Sequence, residues 1–194
     1  MARGKQSSGS PSKASEANAG DPEAQARLIC LRLLETAPRT RAQLATALRR
    51  RGVAREAAEA VLARFTDVGL IDDAAFARAW VESRHYSRGL SRRSLSAELR
   101  QQGIEIDEIN AAVGTLDPEQ EVATARRLVE QKMAGTRGQP PQARVRRAAG
   151  TLARKGYPPG LVFRLIKEVL EQEGSPETLD LDPDQYLDPD EATG

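Results

Sequence analysis

The stretch "LSAELRQQGI", residues 95–104, decides the fold because the chain carries its pattern three times. Leu95 and Leu99 stand four apart, the spacing of one helix face, and Gly103 follows where a helix can close in a left-handed turn before Ile104. Fifty-one residues earlier, "LATALRRRGV" places Leu44, Leu48, Gly52 and Val53 in the same register. Further on, "AAGTLARKGY" offers Ala148, Leu152, Gly156 and Tyr157. Basic residues precede each glycine and suit the negative end of a helix dipole.

Working outward, Asp21 lies 31 residues before Gly52, and Asp72 lies 31 before Gly103. Asp117 precedes Gly156 by 39, an excess of eight that the loop "GTRGQPPQ" at 135–142 can absorb. These aspartates open "DPEA", "DDAA" and "DPEQ", where each reads as an N-cap and Pro, when present, takes the first helical position. Thr40 and Ser91, again 51 apart, are expected to cap the middle helices, with Thr40 and Gln43 forming a capping box. In "GLIDDAAF" Gly69 is expected to end one unit, with Leu70 as its apolar contact. Asp72 then starts the next unit, Ile71 and Phe76 form a hydrophobic staple, and Asp73 faces the helix dipole.

A further helical run follows each glycine, so each unit contains three helices. The spacing predicts helices over 22–36, 41–51 and 55–66, then 73–86, 92–102 and 107–114, then 118–134, 142–155 and 159–172. The expected fold is all-α, with three tandem three-helix repeats at 21–69, 70–116 and 117–173. Units of about 50 residues bury little alone, so the repeats are expected to lean on one another in an elongated, curved array. Residues 1–20 and the acidic 174–194 are expected to be disordered tails.

Composition supports this class: 39% apolar but only 4% aromatic, with no two-residue alternation of a half-buried strand. The lone Cys30 in "ARLICLRLL" excludes an internal disulfide and a cysteine zinc cluster, and reads as a small buried apolar residue. No run approaches the roughly 18 apolar residues of a membrane helix, and the N-terminus has no apolar signal segment. A soluble, cytoplasmic monomer is expected. The single histidine, His85, closes a helix and reads as a capping or solvent-facing residue. With no P-loop, GxGxxG or HExxH pattern, no catalytic set, metal, cofactor or small-molecule substrate is expected, and the chain reads as a non-enzyme.

The formal net charge of +1 conceals a segregation. Residues 122–167 hold eleven Lys or Arg against one acid, Glu130, whereas 174–194 hold seven acids and no base. Such a body expects a polyanion or an acidic protein surface, and such a tail can compete for it. The basic positions recur with the repeat: Arg49, Arg50 and Arg51; Arg88, Arg92, Arg93 and Arg100; Arg144, Arg146, Arg147, Arg154 and Lys155. These are the candidate binding residues. They suit phosphate contacts without base specificity, and aromatic partners for stacking are few, with Tyr86 and Tyr157 nearby. A Myb-like or helix-turn-helix reading, in which third helices enter the major groove, is the alternative. The third helices argue against it: "REAAEAVLARF" is balanced in charge, "EIDEINAAV" of the second unit is acidic, and only the third unit, with Arg164 and Lys167, would serve.

The stretches "GLIDDAAFARAWVESR" and "RGLSRRSLSAELRQQGI" resemble the signature of the RecX family: an acidic pair before an aromatic, then a basic turn and a helix ending at glycine. The resemblance spans roughly residues 24–172 and is strongest over 40–113. It implies a non-enzymatic helical regulator of recombination, repair and the SOS response that binds the RecA filament on single-stranded DNA. Inhibition of filament extension and of RecA ATPase, strand-exchange and coprotease activities would follow. On this reading, reversing Arg92, Arg93, Arg146 and Arg147 to Glu abolishes inhibition without unfolding, and the acidic tail is autoinhibitory or mimics DNA.

Overall fold

Glycines in the left-handed region, Gly52, Gly103 and Gly156 at φ 72°, 78° and 82°, close the middle helices of a computed structural model that describes residues 21–174 and Tyr186. Each lies in the same pair of hydrogen bonds. Val53, Ile104 and Tyr157 donate to the carbonyls of Leu48, Leu99 and Leu152 at 3.2, 3.2 and 3.1 Å. The glycine N–H groups donate to Arg49, Arg100 and Ala153 at 3.1, 2.9 and 2.8 Å. This is the Schellman closure in triplicate, and it satisfies carbonyls that the helix end leaves open.

The described residues form nine helices: α1 (Pro22–Thr36), α2 (Arg41–Arg50), α3 (Arg55–Asp67), α4 (Asp73–Arg88), α5 (Arg92–Gln101), α6 (Ile106–Gly114), α7 (Pro118–Ala134), α8 (Pro141–Ala153) and α9 (Pro159–Gln172). Asp21 and Asp117 accept from the N–H groups of Glu23 and Glu119, each at 3.0 Å. Thr40 and Gln43 complete a reciprocal capping box, and Ser91 accepts from Ser94. Asp72 stands directly ahead of α4.

Each helix triplet encloses its own apolar cluster. The first is built on Ala26, Cys30, Leu44, Leu48, Leu62 and Phe65. The second uses Ala77, Val81, Leu95, Leu99, Ile109 and Leu116, and the third Val129, Met133, Leu152, Leu165, Ile166 and Leu170. Cys30 is fully buried, and burial raises its thiol pKa.

One local expectation is corrected. Leu70 is 49% exposed while Ile71 is 2% exposed, so the apolar residue after Gly69 that enters the first core is Ile71. Ile71 therefore belongs to the first cluster, whereas Phe76 packs on the second and stacks on Trp80 with ring centroids 5.6 Å apart. The Asp73 carboxylate also gains a partner, accepting from the Arg41 N–H at the start of α2 at 2.9 Å.

Compactness divides the described residues into two units, one ending at Asp73 and one beginning at Ala74. The first holds one helix triplet. The second holds two, joined by polar bonds: the Ser91 N–H donates to Lys155 O at 2.9 Å and the Tyr157 hydroxyl donates to Gly89 O at 3.1 Å. Among the described residues no helix is long and apolar enough to cross a membrane.

Candidate functional site

The basic residues singled out from sequence separate into two kinds once their partners are known. Arg49, Arg50 and Arg51 at the end of α2 are all exposed, with Arg51 reaching back to Ala47 O at 3.4 Å. Arg93 and Arg100 on α5 and Arg146 on α8 are exposed, with no ion-pair partner among the described residues. Arg147 is exposed and donates to the Gln139 side chain, and Arg154 is exposed. Of these, Arg93, Arg100 and Arg146 can meet a partner's negative charge without breaking an ion pair among the described residues.

Arg88, Arg92 and Lys155 are engaged within the second unit. Arg88 pairs with Glu98 at 3.0 Å, and Glu98 also accepts from the Trp80 indole N–H at 2.9 Å. Arg84 lies 4.4 Å from the Trp80 ring centroid and 3.9 Å from Glu98, so one carboxylate organises an aromatic and two guanidiniums. Arg92 contacts Glu121 through its side chain at 3.4 Å and donates its backbone N–H to the same carboxylate at 2.8 Å. Lys155 donates its ammonium to Arg88 O, and its pKa is lowered by burial and by the nearby Arg88 charge.

Arg144 does not belong to any surface. It is 7% exposed and donates to Met133 O at 3.2 Å and to Glu173 at 2.6 Å, tying α8 to the ends of α7 and α9. The cause is readable in the repeat. Counting back twelve residues from Gly52, Gly103 and Gly156 reaches Thr40, Ser91 and Arg144, and all three are buried. In the third repeat α8 begins at Pro141, upstream of that position, so the buried place of a capping hydroxyl falls inside a helix and is filled by a long side chain.

His85 corrects a second expectation. It is 8% exposed, with Nδ1 2.9 Å from Leu90 O and Nε2 3.1 Å from Thr124 Oγ1. A carbonyl can only accept, so Nδ1 donates to Leu90 O, while Nε2 shares the second bond with the Thr124 hydroxyl. Tyr157 is buried at 3% exposure and unavailable for stacking, and its phenol pKa is raised by burial and then by Glu121. Tyr86, by contrast, is 89% exposed.

Sequence reasoning passed over a groove of about 830 Å³ in the second unit, lined by residues of α4 and α7 that include Arg78, Tyr86 and Arg127. The signal was present: Arg78, Glu82 and Tyr86 are spaced by four on α4. No group of three or more potential metal ligands occurs among the described residues. The acidic tail lies outside the described residues except Tyr186, whose ring packs on Phe163 with centroids 5.9 Å apart.

Comparison with known proteins agrees with this architecture. The first, second and third three-helix domains of RecX match residues 26–65, 72–113 and 119–166. "Regulatory protein RecX" of Thermobifida fusca is 60% identical over 154 residues, covering 79% of this chain and 83% of that one. The protein of the same name from Streptomyces coelicolor is 58% identical, covering 79% and 82%. A crystal structure of regulatory protein RecX superposes with a TM-score of 0.68 at 27% identity, covering 80% of this chain and 75% of that chain. RecX from Lactobacillus salivarius shares the fold with a TM-score of 0.69 at 17% identity, covering 77% and 97%. With all three of its helix triplets matched in order and relatives this similar over most of its length, the chain belongs to the RecX family.

Proposed function

We propose that this chain is a non-enzymatic regulator that binds the RecA filament on single-stranded DNA and inhibits its extension, ATPase, strand-exchange and coprotease activities. The observation that carries the reading is the exposed basic residue set found on or at the end of each middle helix: Arg49 to Arg51 at the end of α2, Arg93 and Arg100 on α5, and Arg146 and Arg147 on α8. Exposed positive charge on every middle helix, with Arg49 and Arg100 equivalent in register and Arg93 and Arg146 likewise, suits a partner that is itself a repeating polymer, whether it presents acidic protein surface or phosphates. Family membership and relatives named as regulatory proteins point the same way. A Myb-like DNA reader is less well supported, since α6 opens with Asp107 and Glu108, a poor match to a phosphate-lined groove.

The test is RecA ATP hydrolysis on single-stranded DNA, titrated with this protein below one molecule per RecA protomer. Inhibition is expected. Its absence overturns the reading, while retention of a specific duplex sequence in the absence of RecA supports the DNA-reader alternative. The acidic segment 174–194 is proposed to compete for the basic surface, so that removing it after residue 173 raises affinity for single-stranded DNA and steepens its salt dependence.

A further inference from the structure

The groove between α4 and α7 combines features that the basic middle helices lack. On one wall Arg78, Glu82 and Tyr86 follow one another at four-residue intervals along α4, so their side chains share a face. On the other wall stands Arg127 of α7. Val81 and Leu116, both nearly buried, contribute to the apolar lining. Arg78 and Arg127 have no ion-pair partner among the described residues, although Arg84, Arg88, Arg92 and Arg126 in the same unit all reach carboxylates. Tyr86 is 89% exposed, which leaves its ring free of the protein's own packing.

A tyrosine so exposed offers its ring to solvent at the cost of apolar hydration, and two unneutralised guanidiniums share the same groove. We infer that this groove is a subsite for single-stranded nucleic acid, in which a base stacks on Tyr86 while flanking phosphates pair with Arg78 and Arg127. Two guanidiniums face one carboxylate, so the groove favours an anion, and Glu82 keeps the preference from being purely electrostatic. An acidic peptide would satisfy the arginines but has no use for the ring, whereas every base has a stacking face. The inference rests on the proposed filament reading only for the identity of the polymer met in the cell. Its test therefore omits RecA.

The probe is a fluorescein-labelled oligothymidylate long enough to span a site of roughly 4–16 nucleotides, followed by anisotropy at several salt concentrations. Tyr86→Ala is expected to weaken binding roughly fivefold to a hundredfold without changing the salt slope, and Tyr86→Phe, which keeps the ring, to bind as the unmodified chain does. The double variant Arg78→Ala/Arg127→Ala should flatten the slope of log affinity against log salt by about 1.4, since each single-strand phosphate contact contributes about 0.7. All three positions are exposed, so unchanged thermal melting is expected. Equal binding by Tyr86→Ala and the unmodified chain, or equal loss in the Ala and Phe variants, overturns the inference. So does polyglutamate that binds the unmodified chain and Tyr86→Ala alike and more tightly than the oligonucleotide, which would assign the groove to an acidic peptide. Parallel RecA ATPase measurements keep the two ideas apart: inhibition without Tyr86-dependent strand binding sinks the subsite alone, and Tyr86-dependent binding without inhibition sinks the filament reading alone.

Discussion

Gly52 and Gly156 hold the same place in their repeats, yet a methyl group would meet different surroundings. At Gly52 an added Cβ touches nothing within 4 Å; at Gly156 it would stand 2.5 Å from Ser91 Oγ and closer still to Ser94 Oγ. Both positions carry the left-handed strain of a non-glycine residue, about 1–2 kcal/mol. Only Gly156 also presses on a capping serine, whose loss is worth about 1 kcal/mol. Urea denaturation of Gly52→Ala and Gly156→Ala should therefore rank the second as the more damaging, and the reverse order would contradict the close approach. Arg144 offers a second contrast. Arg144→Ala removes the charge-assisted bond to the Glu173 carboxylate and one of the donors to Met133 O, and should cost about 1.5–3 kcal/mol, whereas the exposed neighbour Arg146→Ala should stay within about 0.5 kcal/mol. Equal effects in denaturation would return Arg144 to the surface. The same residues show what could be read beforehand: the glycines announce themselves by spacing, and Arg144 could have been placed by counting back to Thr40 and Ser91. His85 could not, because its partner Thr124 is 39 residues away.

Among the helices, α4 and α8 carry the informative differences. α4 serves two ends at once: Phe76, Ala77 and Val81 face the second core, while His85, and Gly89 just past the helix end, meet the third helix triplet. The Tyr157 hydroxyl holds Gly89 O, and Tyr157→Phe removes that bond while keeping the ring. The expected cost is about 1 kcal/mol with an unchanged denaturant slope, read by urea titration. A neutral result would mean that water replaces the bond. For α8 the eight-residue excess before Gly156 was legible as a number, but not its use. It lets the helix start upstream at Pro141 and swallow the capping position. Periodicity locates helices because the apolar stripe must face a core; it does not say how a longer connection is spent.

For the whole molecule, the division into two units makes a prediction about cooperativity. Hydrogen exchange should show α1 to α3 opening as one unit and α4 to α9 as another, since the second and third helix triplets share backbone bonds such as Ser91 to Lys155. Uniform protection across 41–172, or three independent steps, would refute this. At the same scale, the charge-reversal test of function needs a different set of residues than sequence suggested. Arg92 is tied to Glu121, so Arg92→Glu would place two carboxylates together and destabilise the fold. Reversing Arg93, Arg100 and Arg146 to Glu avoids ion pairs and should abolish inhibition of RecA ATPase while leaving the melting transition unchanged. Full inhibition by that folded triple variant would remove the middle helices from the proposed interface.

Sequence by itself determined the all-helical class, the threefold repeat, the helix ends and the family, because caps, left-handed glycines and apolar stripes act over a few residues and leave their mark in spacing. Tertiary structure alone decided which charges face outward. An arginine's availability depends on whether a carboxylate distant in sequence reaches it, as Glu121 reaches Arg92 and Glu173 reaches Arg144, while Arg78 and Arg127 are left facing one groove. Local spacing records the positions of charges, and long-range packing assigns their partners.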